Sequence, residues 1–394
     1  MSLILSNRAQ TIKPSATLAV SAKANALKAQ GIDVIDLSAG EPDATTPEAI
    51  CKAAIAAINE GHTHYTPVDG IKPLKQAIVD KFKKDNQLSY DLSQIIVSTG
   101  AKQVIYNACL AILNAGDEAI IPAPYWVSYP SMVELADGVP VFIETSIESK
   151  FLITPSQLES AITDKTKLFF MCSPSNPSGM IYSKAQLQAL GAVLKKYPNI
   201  TIISDDLYEN VRWNKEDFIN IATACPDLMD RILVVNGVSK AYAMTGWRIG
   251  YAGGPKALIE GMKNIQGHAT SGPCSIAQYA ALEALTMDQS IIKTFNKAYQ
   301  ERAKAAADII NTTPLISALA TQATFYIFIN VQDLQKAKGF KDDVQLCHAL
   351  LDDAHIALVP GTAFGTPGYV RISIALAQDQ LVEALTRLKK YCSQ

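Results

Sequence analysis

Short apolar runs alternate with stretches of helical periodicity in the middle of the chain, and this alternation constrains the fold more than any other feature. Between about residues 90 and 255 the runs include "QIIVSTG", "DEAIIPA", "TKLFFMC", "ITIISDD" and "RILVVNG". Stretches such as "AKQVIYNACLAILNAG" and "SKAQLQALGAVLKKYPN" lie between them and are typical of helices. Uninterrupted apolar strands separated by helices indicate a parallel sheet that helices cover on both faces. The sequence therefore predicts an α/β fold with a mostly parallel sheet.

The C-terminal part of the chain has a different layout. A long helical stretch, "QSIIKTFNKAYQERAKAAADIINTT", leads to the strand-like "ATFYIFINV" and "YVRISIAL" and to a last helix, "DQLVEALTRLKKYC". These patterns predict a second, smaller α/β unit, and we expect the first 45 or so residues to pack with it. We predict a large domain over 47–290 and a small domain formed by 1–46 and 291–394.

Charge and composition argue against several classes of partner. The 35 basic and 37 acidic side chains give a net charge of −2 without blocks of like charge, so no nucleic-acid partner is expected. No apolar stretch approaches the roughly 18 residues of a membrane span, so no membrane partner is expected. Seven scattered cysteines without a C-x-x-C pair favour a reducing cytoplasm. His62 and His64 have no third candidate ligand nearby, and no metal is predicted.

Polar residues follow the ends of the predicted strands. Gly100, Asn176, Asp205 and Lys240 each come within a few positions of such an end. Ligands bind outside the carboxyl ends of the strands in open α/β sheets, so these residues are expected to share one crevice.

Lys240 lies among small and apolar residues in "VVNGVSKAYAMTGWRIGY". Burial disfavours the ammonium form and lowers the pKa of a lysine, and the neutral amine can then form a Schiff base with a carbonyl. A lysine after a strand is also commonly a solvated loop residue. The lysine alone does not decide between these interpretations.

The other candidates also have two interpretations. Asp205 can pair with a protonated ring nitrogen and Tyr208 can donate to a ring oxygen, but D-x-x-Y also fits a helix N-cap followed by a core tyrosine. Asn176 can present its amide to a ligand from the turn "CSPSNPSG", which needs no function. Trp126 in "PAPYWVSYP" can stack on an aromatic ring or pack in the core.

Two stretches predict anion sites. In "STGAKQVIYNA" a strand, a small-residue turn and a helix start would present backbone N–H groups to a phosphate monoester, and Arg248 can add a bidentate contact. In "GYVRISIAL" Arg371 lies inside an apolar run, where an arginine is costly unless a carboxylate lies opposite.

These stretches occur in an order that resembles pyridoxal-phosphate-dependent aminotransferases of fold type I, class I, especially the bacterial aspartate aminotransferase branch. The resemblance covers essentially the whole chain, through "LSAGEPD", "HYTPVDG", "GAKQ", "PYWVSYP", "SNPSG", "SDDLY", "SKAYAMTGWRIGY" and "VRIS". It implies that Lys240 binds the cofactor covalently and then moves the substrate proton. Asp205 would hold the pyridine nitrogen protonated, and Tyr208 and Asn176 would hydrogen-bond the phenolic oxygen.

The resemblance also implies the remaining contacts. Trp126 would stack on the cofactor ring; the phosphate would be held by Gly100, Ala101, Lys102 and Arg248, with Tyr65 supplied by the neighbouring subunit of a homodimer. Arg371 would clamp the substrate α-carboxylate, with Gly40 beside it, and Trp126 and Asn176 would also border the substrate. Lys102 would bind a second carboxylate, with Lys13 of "KPSAT" at the same mouth.

The chain departs from the family pattern at Gly237, where a phosphate-binding serine is frequent, and at Asp206 and Ala323, where glutamate and glycine are usual. The activity expected from the resemblance is transfer of the amino group of L-aspartate to 2-oxoglutarate, with prephenate as a further substrate. The alternatives are an aromatic or alanine aminotransferase or a cysteine-conjugate β-lyase of the same fold. A third reading, a non-catalytic regulator that binds pyridoxal phosphate, is disfavoured because every catalytic residue type is present.

Overall fold

The computed structural model describes residues 3–14 and 16–394. Its helices are α1 (Asn7–Thr11), α2 (Ala16–Ala29), α3 (Glu48–Asn59), α4 (Lys72–Asn86), α5 (Ala101–Ile112), α6 (Tyr129–Leu135), α7 (Pro155–Ala161), α8 (Lys184–Lys195), α9 (Ile221–Ala224), α10 (Lys256–Ala269), α11 (Ser275–Thr286), α12 (Ser290–Ile310), α13 (Gln332–Lys338), α14 (Asp343–Asp353) and α15 (Gln378–Ser393). Short 3₁₀ turns span Leu92–Gln94, Pro226–Arg231, Thr245–Trp247 and Gly361–Phe364.

The strands form three sheets. They are β1 (Ile35–Asp36), β2 (Ile95–Thr99), β3 (Glu118–Pro122), β4 (Val139–Ile143), β5 (Thr166–Cys172), β6 (Thr201–Asp205), β7 (Ile232–Gly237), β8 (Ile249–Gly253), β9 (Ser317–Ala318), β10 (Tyr326–Asn330), β11 (Ile356–Ala357), β12 (Val359–Pro360) and β13 (Tyr369–Ser373).

The central sheet has seven strands in the order β2-β8-β7-β6-β5-β3-β4. The pairs from β7 to β4 are parallel, whereas β8 runs antiparallel to both β2 and β7. The predicted α/β fold with a mostly parallel sheet is thus confirmed. The carboxyl ends of the parallel strands and the beginning of β8 lie at one edge, which we call the catalytic edge.

Helices cover both faces of this sheet, as the apolar runs predicted. Along β6 and β7, successive side chains enter two different cores, Ile203 and Leu233 on one face and Ile202 and Ile232 on the other. Helix α5 packs on the first face and α4 and α11 on the second. Burial of one such side chain contributes about 1.5–3 kcal/mol, so the sheet is a rigid base for the loops at its edge.

A second sheet, in the order β12-β13-β10-β9, is entirely antiparallel and contains the C-terminal strands. Helices α12 and α15 pack together beside it in a separate core. Strand β1 pairs in parallel with β11, so this strand is attached to the C-terminal unit. Arg8 in α1 instead pairs with Asp137, which follows α6.

The division into domains at 47 and 290 stays a proposal. It is supported by the two sheets and by the hydrophobic cores that accompany them, one between residues 50 and 284 and the other mainly between 299 and 392. Among the described residues, no helix combines the length and hydropathy that crossing a membrane requires.

Candidate active site

A cavity of about 650 Å³ opens at the catalytic edge and extends to β10 and β13 of the second sheet. Ten of the side chains or backbone positions predicted for the site line it: Gly40, Ala101, Lys102, Trp126, Asn176, Asp205, Tyr208, Lys240, Arg248 and Arg371. They come from segments that span more than 300 positions of the chain, so the fold brings together residues that the sequence keeps far apart.

Lys240 lies in the loop that connects β7 to β8. Its Nζ donates a hydrogen bond of 2.6 Å to the carbonyl oxygen of Gly40, which holds the amine at the cavity. Burial lowers the pKa of Lys240 to about 8, while the nearby carboxylate of Glu41 opposes that shift. An amine with this pKa is partly neutral near pH 8 and can act as a nucleophile and a base.

Asp205 is the last residue of β6 and is buried at the floor of the cavity. Its Oδ2 accepts a hydrogen bond of 2.5 Å from the Tyr129 hydroxyl, and its Oδ1 accepts one of 3.3 Å from the backbone N–H of Leu207. Burial raises the pKa of Asp205. Within the described part of the chain no cationic side chain hydrogen-bonds to this carboxyl, so it is suited to a cationic ligand group.

Gly100 and the residues after it form a candidate anion site. Ala101 begins α5, and both Ala101 and Lys102 line the cavity, so their backbone N–H groups lie at a helix start where no preceding turn supplies partners. Gly100 has φ 83° and ψ 158°, and a Cβ on it would lie 2.3 Å from Nη2 of Arg248. Arg248 directly precedes β8, and its Nη1 donates a hydrogen bond of 2.8 Å to the carbonyl oxygen of Thr245. Only glycine leaves room for this guanidinium.

Arg371 lies in β13, and only 2% of its surface is exposed. It donates to Oδ1 of Asn176 at 3.1 Å and to the carbonyl oxygen of Ser38 at 2.9 Å, and its guanidinium stacks on the ring of Tyr326 at 4.2 Å. These partners are neutral, and its buried Nε has no hydrogen-bond partner among residues 3–14 and 16–394. A carboxylate entering the cavity would supply the missing negative charge.

Trp126 and Lys102 form one wall of the cavity. The Lys102 Nζ lies 5.1 Å from the centre of the Trp126 ring. Partial burial and the charge of Arg248 lower the pKa of Lys102. Tyr208 meets the second sheet on the opposite side, where its hydroxyl is 3.1 Å from that of Tyr326.

Three predicted positions are not at the cavity. Gly100 lies directly behind Arg248, as described above. Tyr65 is 99% exposed on the loop after α3, and Lys13 is exposed beside α1. Ser15 of the "KPSAT" stretch lies outside the described residues. The roles predicted for Tyr65 and Lys13 therefore stay predictions, the first of which requires a second subunit.

Sequence reasoning missed several residues of the site. Tyr326, Glu41 and Ser38 line the cavity, and Tyr129 contacts Asp205 from behind. Glu41 accepts a hydrogen bond of 2.7 Å from Thr245, in the loop that carries Lys240. The quoted stretches "LSAGEPD", "PYWVSYP" and "ATFYIFINV" contain all four of these residues, but nothing in their local pattern marked them as part of the site.

The residues present fit pyridoxal phosphate. The site offers an amine of low pKa for an aldehyde, a buried carboxyl for a pyridine nitrogen, and a glycine-lined helix start with an arginine for a phosphate. Arg371, whose hydrogen-bond partners are the neutral Asn176 amide and the Ser38 carbonyl, adds a cationic group for the carboxylate of an amino acid. Asp205, Arg248 and Arg371 are each opposite in charge to the proposed ligand group.

Comparison with known proteins agrees with this geometry. Residues 32–388 match the family model described as aminotransferase class I and II. An aspartate/prephenate aminotransferase of Nitrosomonas europaea is 51% identical, over 99% of this chain and 100% of that protein. The aspartate aminotransferase of Rhizobium meliloti superimposes with a TM-score of 0.96 at 42% identity and covers 100% of this chain and 99% of its own. That of Thermus thermophilus with maleate gives 0.93 at 39% identity, covering 99% and 100%.

The fold and the site thus define an enzyme that transfers amino groups with pyridoxal phosphate as its cofactor. The chain belongs to the class I and II aminotransferases.

Proposed function

We propose that this enzyme transfers the amino group of L-aspartate to 2-oxoglutarate, forming oxaloacetate and L-glutamate, and that it also accepts prephenate. The observation that carries the proposal is the convergence of Lys240, Asp205 and Arg371 on one cavity that Lys102 also lines. The names of the relatives support the choice of substrates, since the protein from Nitrosomonas europaea is called an aspartate/prephenate aminotransferase.

Arg371 would bind and orient the amino acid. Its guanidinium is held by Asn176, Ser38 and the Tyr326 ring, so it loses little freedom when a carboxylate arrives. A fixed α-carboxylate places the substrate amine and α carbon near the Lys240 amine, which the Gly40 carbonyl holds on the same side. Positioning of this kind removes much of the entropic barrier.

Lys240 would carry the proton. Bound pyridoxal phosphate supplies an aldehyde that reacts with amines and a ring that stabilises negative charge at the substrate α carbon. The Lys240 amine, when neutral, can accept the α proton and return it elsewhere on the same face. Its pKa of about 8 keeps both protonation states accessible under neutral or mildly basic conditions.

Lys102 would read the second carboxylate of a dicarboxylic substrate. Its ammonium and the guanidinium of Arg248 make this wall of the cavity positive. The Thermus thermophilus relative was solved with maleate, which has two carboxylates, and this supports a dicarboxylate at such a site. A contribution of Lys13 to binding of the second carboxylate at the cavity mouth stays a prediction.

We also infer that the enzyme is a homodimer in the cytoplasm. Exposed apolar side chains on α3, Ile55 and Ile58, and the fully exposed Tyr65 beside them favour coverage by a second copy. In that arrangement Tyr65 would enter the partner's phosphate site. All seven cysteines are free thiols, which fits a reducing compartment.

The test of the catalytic proposal is a spectroscopic half-reaction followed by kinetics. The visible band of the purified holoenzyme should change on addition of aspartate and be restored by 2-oxoglutarate. Values of kcat/KM over a panel of amino donors should be highest for aspartate and glutamate. Release of pyruvate and ammonia from cysteine conjugates would instead indicate the β-lyase, and a band that never changes would indicate a non-catalytic protein.

Mixed dimers test the shared site. Tyr65→Ala and Lys240→Ala subunits should each form weakly active or inactive homodimers. A heterodimer of the two contains one site with both residues intact, so about half of the wild-type activity should return. Activity no higher than in the parent variants would contradict a contribution of Tyr65 across the interface.

A further inference from the structure

Tyr129 is a buried tyrosine to which the proposed mechanism gives no role. It begins α6, three residues after Trp126, and only 2% of its surface is exposed. Its hydroxyl donates to Oδ2 of Asp205 at 2.5 Å. We propose that Tyr129 is a positioning residue that holds the Asp205 carboxylate in its ionised form and in the orientation that faces the cavity.

Packing fixes the hydroxyl in place. The Tyr129 ring stacks on Phe170 with 4.7 Å between centroids, and the Trp126 ring meets it edge to face at 5.4 Å. Phe170 belongs to β5, the strand next to Asp205 in the sheet. Because both aromatic neighbours are part of the framework, the hydroxyl cannot turn away from the carboxyl without repacking this core.

The hydrogen bond counteracts the effect of burial on Asp205. Burial raises the pKa of Asp205, whereas the Tyr129 hydroxyl, the backbone N–H of Leu207 and the charge of Lys240 lower it. The Cys172 thiol faces the same carboxyl from β5, where Cys172 is the register partner of Asp205, and Asp206 follows it in the chain. Tyr129 itself stays a neutral donor, because burial raises its pKa well above the ordinary value.

The hydrogen bond from Tyr129 to Oδ2 also fixes the orientation of the Asp205 carboxylate. A carboxylate has about four acceptor positions on its two oxygens. Tyr129 and Leu207 occupy one position on each oxygen, and no other residue in the described ranges 3–14 and 16–394 hydrogen-bonds to this carboxyl, so the remaining positions can accept from a ligand at the floor of the cavity. The same residue thus supports Asp205 below the ligand ring and touches Trp126, which is proposed to stack on that ring.

This inference rests on the proposed pairing of Asp205 with the ring nitrogen of pyridoxal phosphate. The direct test loads the wild type and the variants with pyridoxal phosphate that carries an isotope label at the ring nitrogen. Magnetic resonance then compares the protonation of that nitrogen among these holoenzymes. In Tyr129→Phe the carboxyl holds its proton more tightly, so the ring nitrogen should shift toward its unprotonated signal and lose its proton at lower pH than in the wild type. The dissociation constant of the cofactor should rise about tenfold, as for loss of a hydrogen bond to a charged group.

Tyr90→Phe is the matched control. The Tyr90 hydroxyl is also buried in the large unit, but it has no hydrogen-bond partner within the described residues. This variant should leave the nitrogen signal and the cofactor affinity unchanged. Equal behaviour of Tyr129→Phe, Tyr90→Phe and the wild type would overturn the proposal.

Asp205→Asn separates this inference from the proposed function. If that variant changes the nitrogen signal and Tyr129→Phe does not, the pairing of Asp205 stands and the positioning role of Tyr129 is wrong. If Asp205→Asn leaves the signal unchanged, the pairing itself is wrong, and the role of Tyr129 falls with it.

Discussion

Replacement of Gly100 by alanine gives the sharpest test of the phosphate site, because the structure separates its two effects. The backbone of Gly100, at φ 83° and ψ 158°, lies in a region that essentially only glycine occupies. Forcing alanine into it should lower the free energy of unfolding by about 1–3 kcal/mol. The new Cβ would also lie 2.3 Å from Nη2 and 2.9 Å from Cζ of Arg248, so the guanidinium must move.

Displacement of Arg248 should reduce the affinity for the cofactor more than it reduces the stability of the fold. A hydrogen bond to a charged group contributes about 1.5–3 kcal/mol, which corresponds to a roughly 10-fold to 150-fold loss of affinity. The two quantities are measured separately, the first by denaturant unfolding of the cofactor-free protein and the second by titration with pyridoxal phosphate. Arg248 would no longer be held by the Thr245 carbonyl, so both its position and its rigidity change.

Gly31→Ala is the control for backbone strain alone. Gly31 has the same φ of 83°, and nothing lies within 4 Å of the Cβ that alanine would add. It should lose stability by about 1–2 kcal/mol and bind the cofactor as the wild type does. If Gly100→Ala also keeps wild-type affinity, the assignment of Arg248 and the start of α5 to the phosphate is refuted.

Three further predictions concern the cavity. Uptake of pyridoxal phosphate by the cofactor-free protein should accelerate as the pH rises through about 8, because burial lowers the pKa of Lys240 to that value and the neutral amine predominates above it. Acceleration only near pH 10, as for a solvated lysine, would contradict this prediction. Lys102→Ala should reduce kcat/KM for aspartate at least about tenfold more than for alanine or phenylalanine. The control Lys165→Ala, at an exposed position, should change neither value. Equal losses for all three substrates in Lys102→Ala would show that Lys102 does not determine substrate specificity. Arg371→Lys should raise KM for aspartate and phenylalanine alike by about tenfold or more, because lysine lacks the fork that matches the α-carboxylate; a loss confined to aspartate would instead place Arg371 at the side chain.

The strands that could be predicted are those with strong, continuous apolar runs. Two strands of the central sheet, β4 and β8, were not predicted. Strand β4, "VPVFI", lies at the sheet edge and contains Pro140, and a proline within an apolar run argues against a strand. Strand β8, "IGYAG", contains two glycines, which are depleted in strands, and no local pattern encodes that it runs against its neighbours. Strand direction depends on tertiary pairing, which periodicity does not report.

The site was predictable where chemistry follows the end of a strand. Asp205 and Lys240 have this position, and the resemblance supplied their roles. Tyr326 and Gly40 act through contacts with residues 118 and 200 positions away, Tyr208 and Lys240. Tyr129 looks like a core tyrosine because it is one, and its second contact becomes visible only when β6 places Asp205 beside it. Contacts of this range are properties of the packed fold.

The direction of β8 limits how this enzyme can change in length. The chain leaves the catalytic edge at Lys240 and comes back to it at Arg248, eight positions later, because β8 returns antiparallel beside β7. A strand of the opposite polarity would begin at the far edge, and reaching it would need a crossover of a dozen or more residues. The proposed covalent anchor, Lys240, and the proposed ionic anchor, Arg248, therefore share a single connection. Insertions there would separate the two anchors, whereas substitutions that keep the loop length leave their spacing intact.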